Sequence, residues 1–170
     1  TKEFDLFSKD CDFTDDSVMT IAVGEALLAV GTQATVKEIE EAVVTNMQDW
    51  GKRYPYAGYG GRFRYWLGES NPKPYGSYGN GSAMRVSAAG WLYDSMERTR
   101  EVARATANVT HNHPEGIKGA EATASAIYMA RNGSSKEEIK EYIEREFHYN
   151  LDRTLDEIRP GYHMDETCQR

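Results

Sequence analysis

The sequence predicts an all-α fold, for three reasons. An apolar run over residues 18–30 follows a polar start, an Ala-rich stretch of helix length covers residues 116–131, and no segment sustains alternation of apolar and polar residues. Alternation of period two is the signature of a half-buried strand, so its absence together with long helical segments favours helices. We therefore predict one compact multi-helix domain spanning residues 1–170.

The first two helices have recognisable ends. We predict one from Thr14 to Val30, followed by Gly31, and a second to Trp50, followed by Gly51. A helix that is apolar nearly all round is typical of a core, so we expect the first to be buried. Thr35 with Glu38 three residues later is a capping-box pattern that opens the second helix.

Residues 52–81 are rich in Gly, Pro, Tyr and Arg, and we predict loops with a short aromatic segment around Phe63. Loops this long are uncommon in domains unless they are functional or mobile. A small-residue helix is expected from Ser82 to Tyr93. Further helices are predicted from Asp94 or Ser95 through Ala105, over residues 116–131, from 134 or 135 to 147, and as one turn within 151–158.

Composition excludes several function classes. The 170-residue chain carries a formal net charge of −7, which argues against binding to a nucleic-acid backbone because such binding needs clustered Lys and Arg. No apolar stretch reaches transmembrane length, and two cysteines, Cys11 and Cys168, are too few for a disulfide framework. We expect a cytoplasmic protein without membrane contact. The chain begins with Thr1 rather than Met, so we expect a processed, cleaved or engineered end.

Two adjacent carboxylates, Asp15 and Asp16, follow Thr14 at the start of the first helix. Carboxylate and hydroxyl oxygens are the ligands that Mg²⁺ and Mn²⁺ prefer, so this run is a candidate metal site. A structural alternative stays open, because Thr14 is a good N-cap and acidic residues in a first turn complement the helix dipole.

A second candidate is the glycine-rich run from Gly76 to Arg85. Its glycines let the backbone approach a ligand closely, and the start of the following helix offers amides to an anion. An ordinary turn is the alternative. Arg85 pairs with a phosphate or forms a buried ion pair.

The third candidate contains His111 and His113, between two helices. Structural zinc needs about four ligands, and the other cysteines and histidines show no matching spacing. Helix capping or ligand contact is therefore favoured. A group of aromatic residues could stack on a base or ribose, or could cover the core; it comprises Tyr54, Tyr56, Tyr59, Phe63, Tyr65 and Trp66.

Taken together, these runs resemble the ADP-ribosylglycohydrolase family, all-α proteins related to dinitrogenase-reductase-activating glycohydrolase. The similar segments are Phe-Thr-Asp-Asp-Ser at 13–17, Tyr-Gly-Gly at 59–61 with Phe63, Arg64 and Trp66, the glycine run at 76–85, and Thr-His-Asn-His-Pro at 110–114. Their order and spacing cover nearly the whole chain.

The resemblance implies Mg²⁺-dependent hydrolysis of the bond between ADP-ribose and a modified side chain or small acceptor. It implies two Mg²⁺ (or Mn²⁺) ions held by Thr14, Asp15 and Asp16, with the two aspartates catalytic through the metals. The implied ligand-binding residues are Ser77, Tyr78, Gly79, Asn80, Gly81, Met84 and His111.

The sequence also departs from the family pattern. Family members carry a Gly-Asp motif with a following glutamate before this region, and a Gly-Gly-Asp-x-Asp-Thr run near the C-terminus. Thr1 begins after the first, Arg170 ends before the second, and Asp165-Glu166-Thr167 lacks its spacing. We therefore expect a truncated member. Two alternatives to catalysis stay open: binding of an ADP-ribose-like nucleotide without cleavage, and oligomerisation through the face left by the missing segments.

Overall fold

Helices make up the regular secondary structure of the computed structural model, which describes residues 3, 5, 7–9 and 11–161. They are α1 (Asp15–Val30), α2 (Val36–Arg53), α3 (Gly61–Leu67), α4 (Gly81–Met84), α5 (Ser87–Leu92), α6 (Met96–Asn108), α7 (Pro114–Arg131), α8 (Lys136–Phe147), α9 (Leu155–Ile158) and a 3-10 turn (Arg159–Gly161). These described ranges contain no β-strand, which confirms the all-α fold. The segment 165–167, His163 and Cys168 lie outside the described residues.

Local capping patterns were reliable predictors of where helices begin. Thr35 caps α2, and its hydroxyl and the Glu38 carboxylate form the reciprocal capping box. Ser95 caps α6 and Ser135 caps α8 in the same manner, the latter with a complete box. The Ala-rich helix α7 begins two residues earlier than predicted, because Pro114 occupies its first position, where a missing N–H costs nothing.

The prediction that Gly51 ends the second helix is wrong. Gly51 is buried inside α2, which continues to Arg53. A Cβ at Gly51 would lie 2.8 Å from the Leu67 Cδ1 atom of α3. Glycine costs about 1 kcal/mol relative to alanine in a helix interior. Here it allows α3 to pack directly onto the α2 backbone, which local sequence does not reveal.

The single helix predicted from Ser82 to Tyr93 is also wrong, because α4 and α5 are separated at Arg85 and Val86. Both of these adjacent residues are buried. The break sets the position of Arg85 in the site described below.

Close packing of small residues holds α5 against α7. A Cβ at Gly90 of α5 would lie 2.6 Å from the Ile127 Cβ atom of α7. Ala89, Ala120 and Ala124 are fully buried in the same cluster, which also takes in the interior faces of α1, α2 and α6. This agrees with the tight packing expected of the small residues.

The expectation that α1 is buried all round is wrong for one face. Val18, Val23 and Leu27 are buried, but Ile21 is 50% exposed and Leu28 is 72% exposed. The described neighbours α2, α4 and α5 pack against the other sides of the helix. An apolar stripe therefore faces solvent. None of the described helices is both long enough and apolar enough to cross a membrane.

Candidate functional site

One cleft of about 290 Å³ collects residues from most of the predicted motifs. It lies between the start of α1, the start of α3, the loop before α4 and the loop that joins α6 to α7. Its walls are formed by Asp15, Gly60, Gly61, Arg62, Phe63, Tyr75, Ser77, Gly79, Asn80, Gly81, Met84, Arg85 and His111.

Most of the predicted site residues line this cleft: Asp15, Ser77, Gly79, Asn80, Gly81, Met84 and His111. Thr14, Asp16 and Tyr78 are not among the residues that form its walls. Thr14 and Asp16 are exposed neighbours of Asp15 in the chain, whereas the Tyr78 ring packs beside His113, with ring centroids 5.2 Å apart.

The acidic end of the cleft consists of Thr14, Asp15 and Asp16. Thr14 occupies the N-cap position of α1, but its hydroxyl caps no helix amide. It donates instead to the Asp16 Oδ2 atom at 2.9 Å. The Asp15 amide donates to the Ala57 carbonyl at 2.7 Å, which fixes the start of the helix. Thr14 therefore occupies the N-cap position, as the structural alternative predicts, but its hydroxyl does not cap the helix.

Asp15 also acts on a buried neighbour. Burial raises the pKa of the Tyr59 hydroxyl, and the nearby Asp15 carboxylate raises that pKa further. The Tyr59 Oη atom is buried without a hydrogen-bond partner in the described part of the chain. The negative charge of Asp15 therefore acts both on the cavity, whose wall it forms, and on the buried Tyr59.

The donor set at the acidic end suits a hard cation in part. A Mg²⁺ ion is usually held through one or two carboxylates and keeps several waters, and two carboxylates with one hydroxyl meet that need. Within the described ranges, no three His, Cys, Asp or Glu side chains converge as a metal cluster. The three oxygen donors fit one ion with water-filled positions, and a second ion requires donors beyond them.

The glycine end of the cleft, defined as residues 76–82 with Arg85 and His111, is tied to the α6–α7 loop by hydrogen bonds. The Gly76 amide donates to the Asn112 Oδ1 atom at 2.7 Å. The amides of Tyr75 and Ser77 both donate to the Thr110 carbonyl, at 3.2 and 3.4 Å. Gly76 has a φ of 65°, which favours glycine. The loop is thus fixed before any ligand binds.

Two glycines allow the loop and the histidine segment to approach each other closely. A Cβ at Gly116 would lie 2.7 Å from the Ser77 carbonyl oxygen, and one at Gly81 would lie 3.1 Å from the His111 Nε2 atom. The Ser82 hydroxyl donates to the Gly116 carbonyl at 2.7 Å. The His111 ring is consequently held against the backbone that begins α4.

Arg85 places a buried positive charge under the glycine end. Its side chain is 1% exposed, and its Cζ atom lies 5.8 Å from the centroid of the Phe63 ring. No carboxylate of the described residues pairs with it. Burial lowers its pKa to about 10, so the guanidinium remains charged at neutral pH. An uncompensated buried cation favours an anionic ligand nearby.

His111 contributes a neutral ring to the same wall. It is 4% exposed, and its Nδ1 atom lies 2.7 Å from the Thr110 Oγ1 atom. Burial, and then the Arg85 charge, lower its pKa to about 3. The ring is therefore uncharged at neutral pH. His113 has a different role: its Nδ1 atom accepts from the Glu115 amide at 3.2 Å as the cap of α7.

Sequence similarity to known proteins agrees with this arrangement. The family model for ADP-ribosylglycohydrolase matches residues 3–168. The chain belongs to the ADP-ribosylglycohydrolase family. It is 34% identical over 140 residues to ADP-ribosylhydrolase ARH3 of Mus musculus and 33% identical over 140 residues to ADP-ribosylhydrolase ARH3 of Homo sapiens. Each match covers 74% of this chain, and 36% and 37% of the respective relatives. The chain thus spans little more than a third of the length of these curated relatives.

In this member of the ADP-ribosylglycohydrolase family, sequence reasoning missed part of the cleft wall. Arg62 and Tyr75 both line it, with the Arg62 Cζ atom 4.7 Å from the centroid of the Tyr75 ring. In the sequence, only the two glycines at positions 60 and 61 indicated that this segment forms part of a site. Of the aromatic group, Phe63 lines the cleft, Tyr59 and Trp66 are buried, and Tyr56 and Tyr65 are exposed.

Proposed function

We propose that this chain binds ADP-ribose in the cleft and takes part in hydrolysis of the bond between ADP-ribose and a modified side chain or small acceptor. The observation that carries the proposal is the joining of the Asp15 carboxylate to a glycine loop backed by the Arg85 cation in one cavity. The printed name of the relatives, ADP-ribosylhydrolase, supports the same chemistry.

The glycine end is proposed to bind the diphosphate. Backbone amides of the loop and of the start of α4 are donors for phosphate oxygens, with Ser77, Gly79 and Asn80 at the cavity wall. The buried Arg85 charge favours two negative charges at this place. Phe63 and Tyr75 offer ring surfaces for the ribose or base. Tyr78, which lies beside His113 at the edge of the loop, is proposed to contact the outer part of the ligand.

The acidic end is proposed to act on the ribose next to the scissile bond. Glycoside cleavage develops positive charge on the sugar, and the Asp15 carboxylate would stabilise that charge and accept from a ribose hydroxyl. Thr14, Asp15 and Asp16 would hold Mg²⁺ or Mn²⁺. When bound, the cation would supply charge that orients substrate hydroxyls and assists attack by water at the anomeric carbon. A site for two ions would need further ligands in addition to these three residues.

Binding without cleavage is the second candidate function. The observation that favours it is the contrast between a glycine end fixed by described residues and an acidic end that offers only part of a metal site. On this hypothesis the chain retains or sequesters the nucleotide.

One experiment separates the two candidates. Calorimetry with ADP-ribose, with and without Mg²⁺, measures binding, and chromatography of an ADP-ribosylated serine or arginine peptide measures release of ADP-ribose. Binding with metal-dependent release supports hydrolysis, whereas binding without release at any Mg²⁺ concentration supports sequestration. Absence of ADP-ribose binding contradicts both.

Self-association is a further proposal, favoured by the exposed Ile21 and Leu28 on α1. Burial of apolar area contributes about 25 cal/mol per Å², so a complex in which a second copy of the chain covers these two side chains would be stabilised. Sedimentation of the wild type against the variant Ile21→Ser with Leu28→Ser tests it. An unchanged monomeric mass for both contradicts it. A cytoplasmic location stays a prediction from the sequence.

A further inference from the structure

Three side chains form a chain of hydrogen bonds from the core to the wall of the cleft. The Arg85 Nη2 atom donates to the Thr110 Oγ1 atom at 2.8 Å and to the Thr106 carbonyl at 3.1 Å. Thr110 Oγ1 is in turn 2.7 Å from the His111 Nδ1 atom. All three side chains are buried, at 1%, 0% and 4% exposure for Arg85, Thr110 and His111.

The chemistry of the first group sets the direction of the second bond. A guanidinium has only donors, so Thr110 Oγ1 must accept from Arg85. A hydroxyl carries one proton of its own, and His111 Nδ1 is the acceptor that the structure places beside it. Donation from Thr110 to Nδ1 uses that proton, whereas the opposite direction would leave a buried hydroxyl proton without an acceptor, which is unfavourable.

The second nitrogen of the ring must then carry the proton of the neutral imidazole. Nε2 lies at the side of Gly81, since a Cβ there would be 3.1 Å from it. No side chain or backbone group among the described residues accepts a hydrogen bond from Nε2. Since His111 lines the cleft at its glycine end, this N–H is left to donate to a group bound there, where the proposed phosphates would lie.

We infer that Arg85 and Thr110 are positioning residues that fix His111 as the Nε2–H tautomer, so that its ring donates to an anionic oxygen of the bound ligand. Arg85 contributes to this positioning through Thr110 and His111, in addition to the positive charge that it places under the glycine end. The identity of that ligand as ADP-ribose rests on the proposed function, but the tautomer does not.

The tautomer is measured directly by long-range ¹H–¹⁵N correlation spectra of the ligand-free protein with ¹⁵N-labelled histidine, assigned by comparison with His111→Gln. The wild type is expected to show an unprotonated Nδ1 and a protonated Nε2 at His111 between pH 6 and 8. A protonated Nδ1 in the wild type overturns the inference, whatever the variants do.

Two matched variants test the role of the hydroxyl. Thr110→Val keeps the shape of the side chain and removes the hydroxyl, so we expect mixed tautomers at His111 and ADP-ribose binding weakened about tenfold, the effect of roughly one hydrogen bond to a charged group. Thr110→Ser keeps the hydroxyl and is expected to retain the wild-type spectrum and affinity. A wild-type spectrum in folded Thr110→Val overturns the inference.

The same data separate this inference from the proposed function. If the wild type shows the Nε2–H tautomer but does not bind ADP-ribose, the proposed function fails and the positioning role stands for another anion. If the wild type binds ADP-ribose but shows a protonated Nδ1, the proposed function stands and the positioning role fails. Should Thr110→Val not fold, Thr110→Ala, which also lacks the hydroxyl, takes its place, and the wild-type spectrum decides the tautomer without any variant.

Discussion

The two ends of the cleft differ in how far the protein fixes them. At the glycine end, the loop is hydrogen-bonded to the α6–α7 connection, and Arg85 and His111 are buried beneath it. At the acidic end, Asp16 is exposed, and the described donors would make up only part of the proposed metal shell. An end that is fixed beforehand pays little ordering cost on binding. On the proposed function, these residues alone should therefore recognise the diphosphate, whereas chemistry at the ribose should depend on further groups.

The largest expected effect is at the acidic end. Asp15→Asn with Asp16→Asn removes both charges of the proposed cation site, so Mn²⁺ affinity should fall by about a hundredfold or more, as expected when charged ligands are lost. Metal-free affinity for ADP-ribose should change far less, because the amide oxygen of asparagine at position 15 can still accept from a ribose hydroxyl. Calorimetric titrations with Mn²⁺ and with ADP-ribose measure the two effects.

The matched control for this variant is Asp49→Asn with Asp94→Asn, which makes the same change of charge at exposed positions outside the cleft. It should leave Mn²⁺ affinity unchanged. Wild-type Mn²⁺ affinity in the Asp15 and Asp16 variant would show that the acidic end is not a metal site.

The reciprocal variant, at the glycine end, is Arg85→Met. Loss of the buried charge should weaken metal-free ADP-ribose binding by about a hundredfold, or roughly 3 kcal/mol. The folded state should survive, because a buried charge without a carboxylate partner is costly and methionine fills similar space. Isothermal calorimetry and thermal unfolding measure both properties.

Arg53→Met is the control, since it removes the same charge from an exposed side chain beside Trp50. It should bind ADP-ribose as the wild type does. If the two variants lose affinity equally, general charge rather than the buried position of Arg85 explains binding.

A smaller effect is expected from Gly116→Ala. The added methyl would meet the Ser77 carbonyl at 2.7 Å and push the loop outward, so ADP-ribose affinity should fall about tenfold, or about 1.4 kcal/mol. Gly90→Ala makes an equally tight contact with Ile127 but lies outside the cleft. It should lower the melting temperature without changing affinity in the folded protein. If both variants bind ADP-ribose with the same affinity, the position of the loop does not affect ligand binding.

The last prediction concerns the pH dependence of stability rather than ligand binding. The pKa of His111 falls from 6.5 to about 3 on folding, so the unfolded chain binds the additional proton between these values. Stability should therefore decrease as pH falls below 6.5, by up to about 1.4 kcal/mol per pH unit from this group. Urea unfolding of the wild type and His111→Gln between pH 7 and 5 measures the difference. Parallel curves for the two proteins would mean that His111 is not buried as a neutral ring.

Much of the helical fold follows from local sequence, because a cap involves residues only three apart. The boxes at Thr35 and Ser135 illustrate this, as both begin helices where predicted. Gly51 and Arg85 show the limit. The role of each depends on a partner distant in the chain, Leu67 for the first and Thr110 for the second. No local pattern contains those contacts.

The site, like the fold, could be predicted only in part from the sequence. The motifs containing Asp15 and His111 were identified from the sequence and lie in one cleft. The hydrogen bonds from Arg85 through Thr110 to His111 join the break between α4 and α5 to the α6–α7 loop, so they exist only after the helices pack. Exposure of Ile21 and Leu28 was missed for the same reason, since periodicity does not say which faces find a neighbour.

Titration of ADP-ribose into the metal-free wild-type chain, in a chelating buffer, tests the central claim most directly. We predict saturable one-to-one binding that Arg85→Met loses and that the Asp15 and Asp16 variant retains. Absence of binding by the wild type until Mg²⁺ is added would contradict the claim that the glycine end recognises the diphosphate by itself.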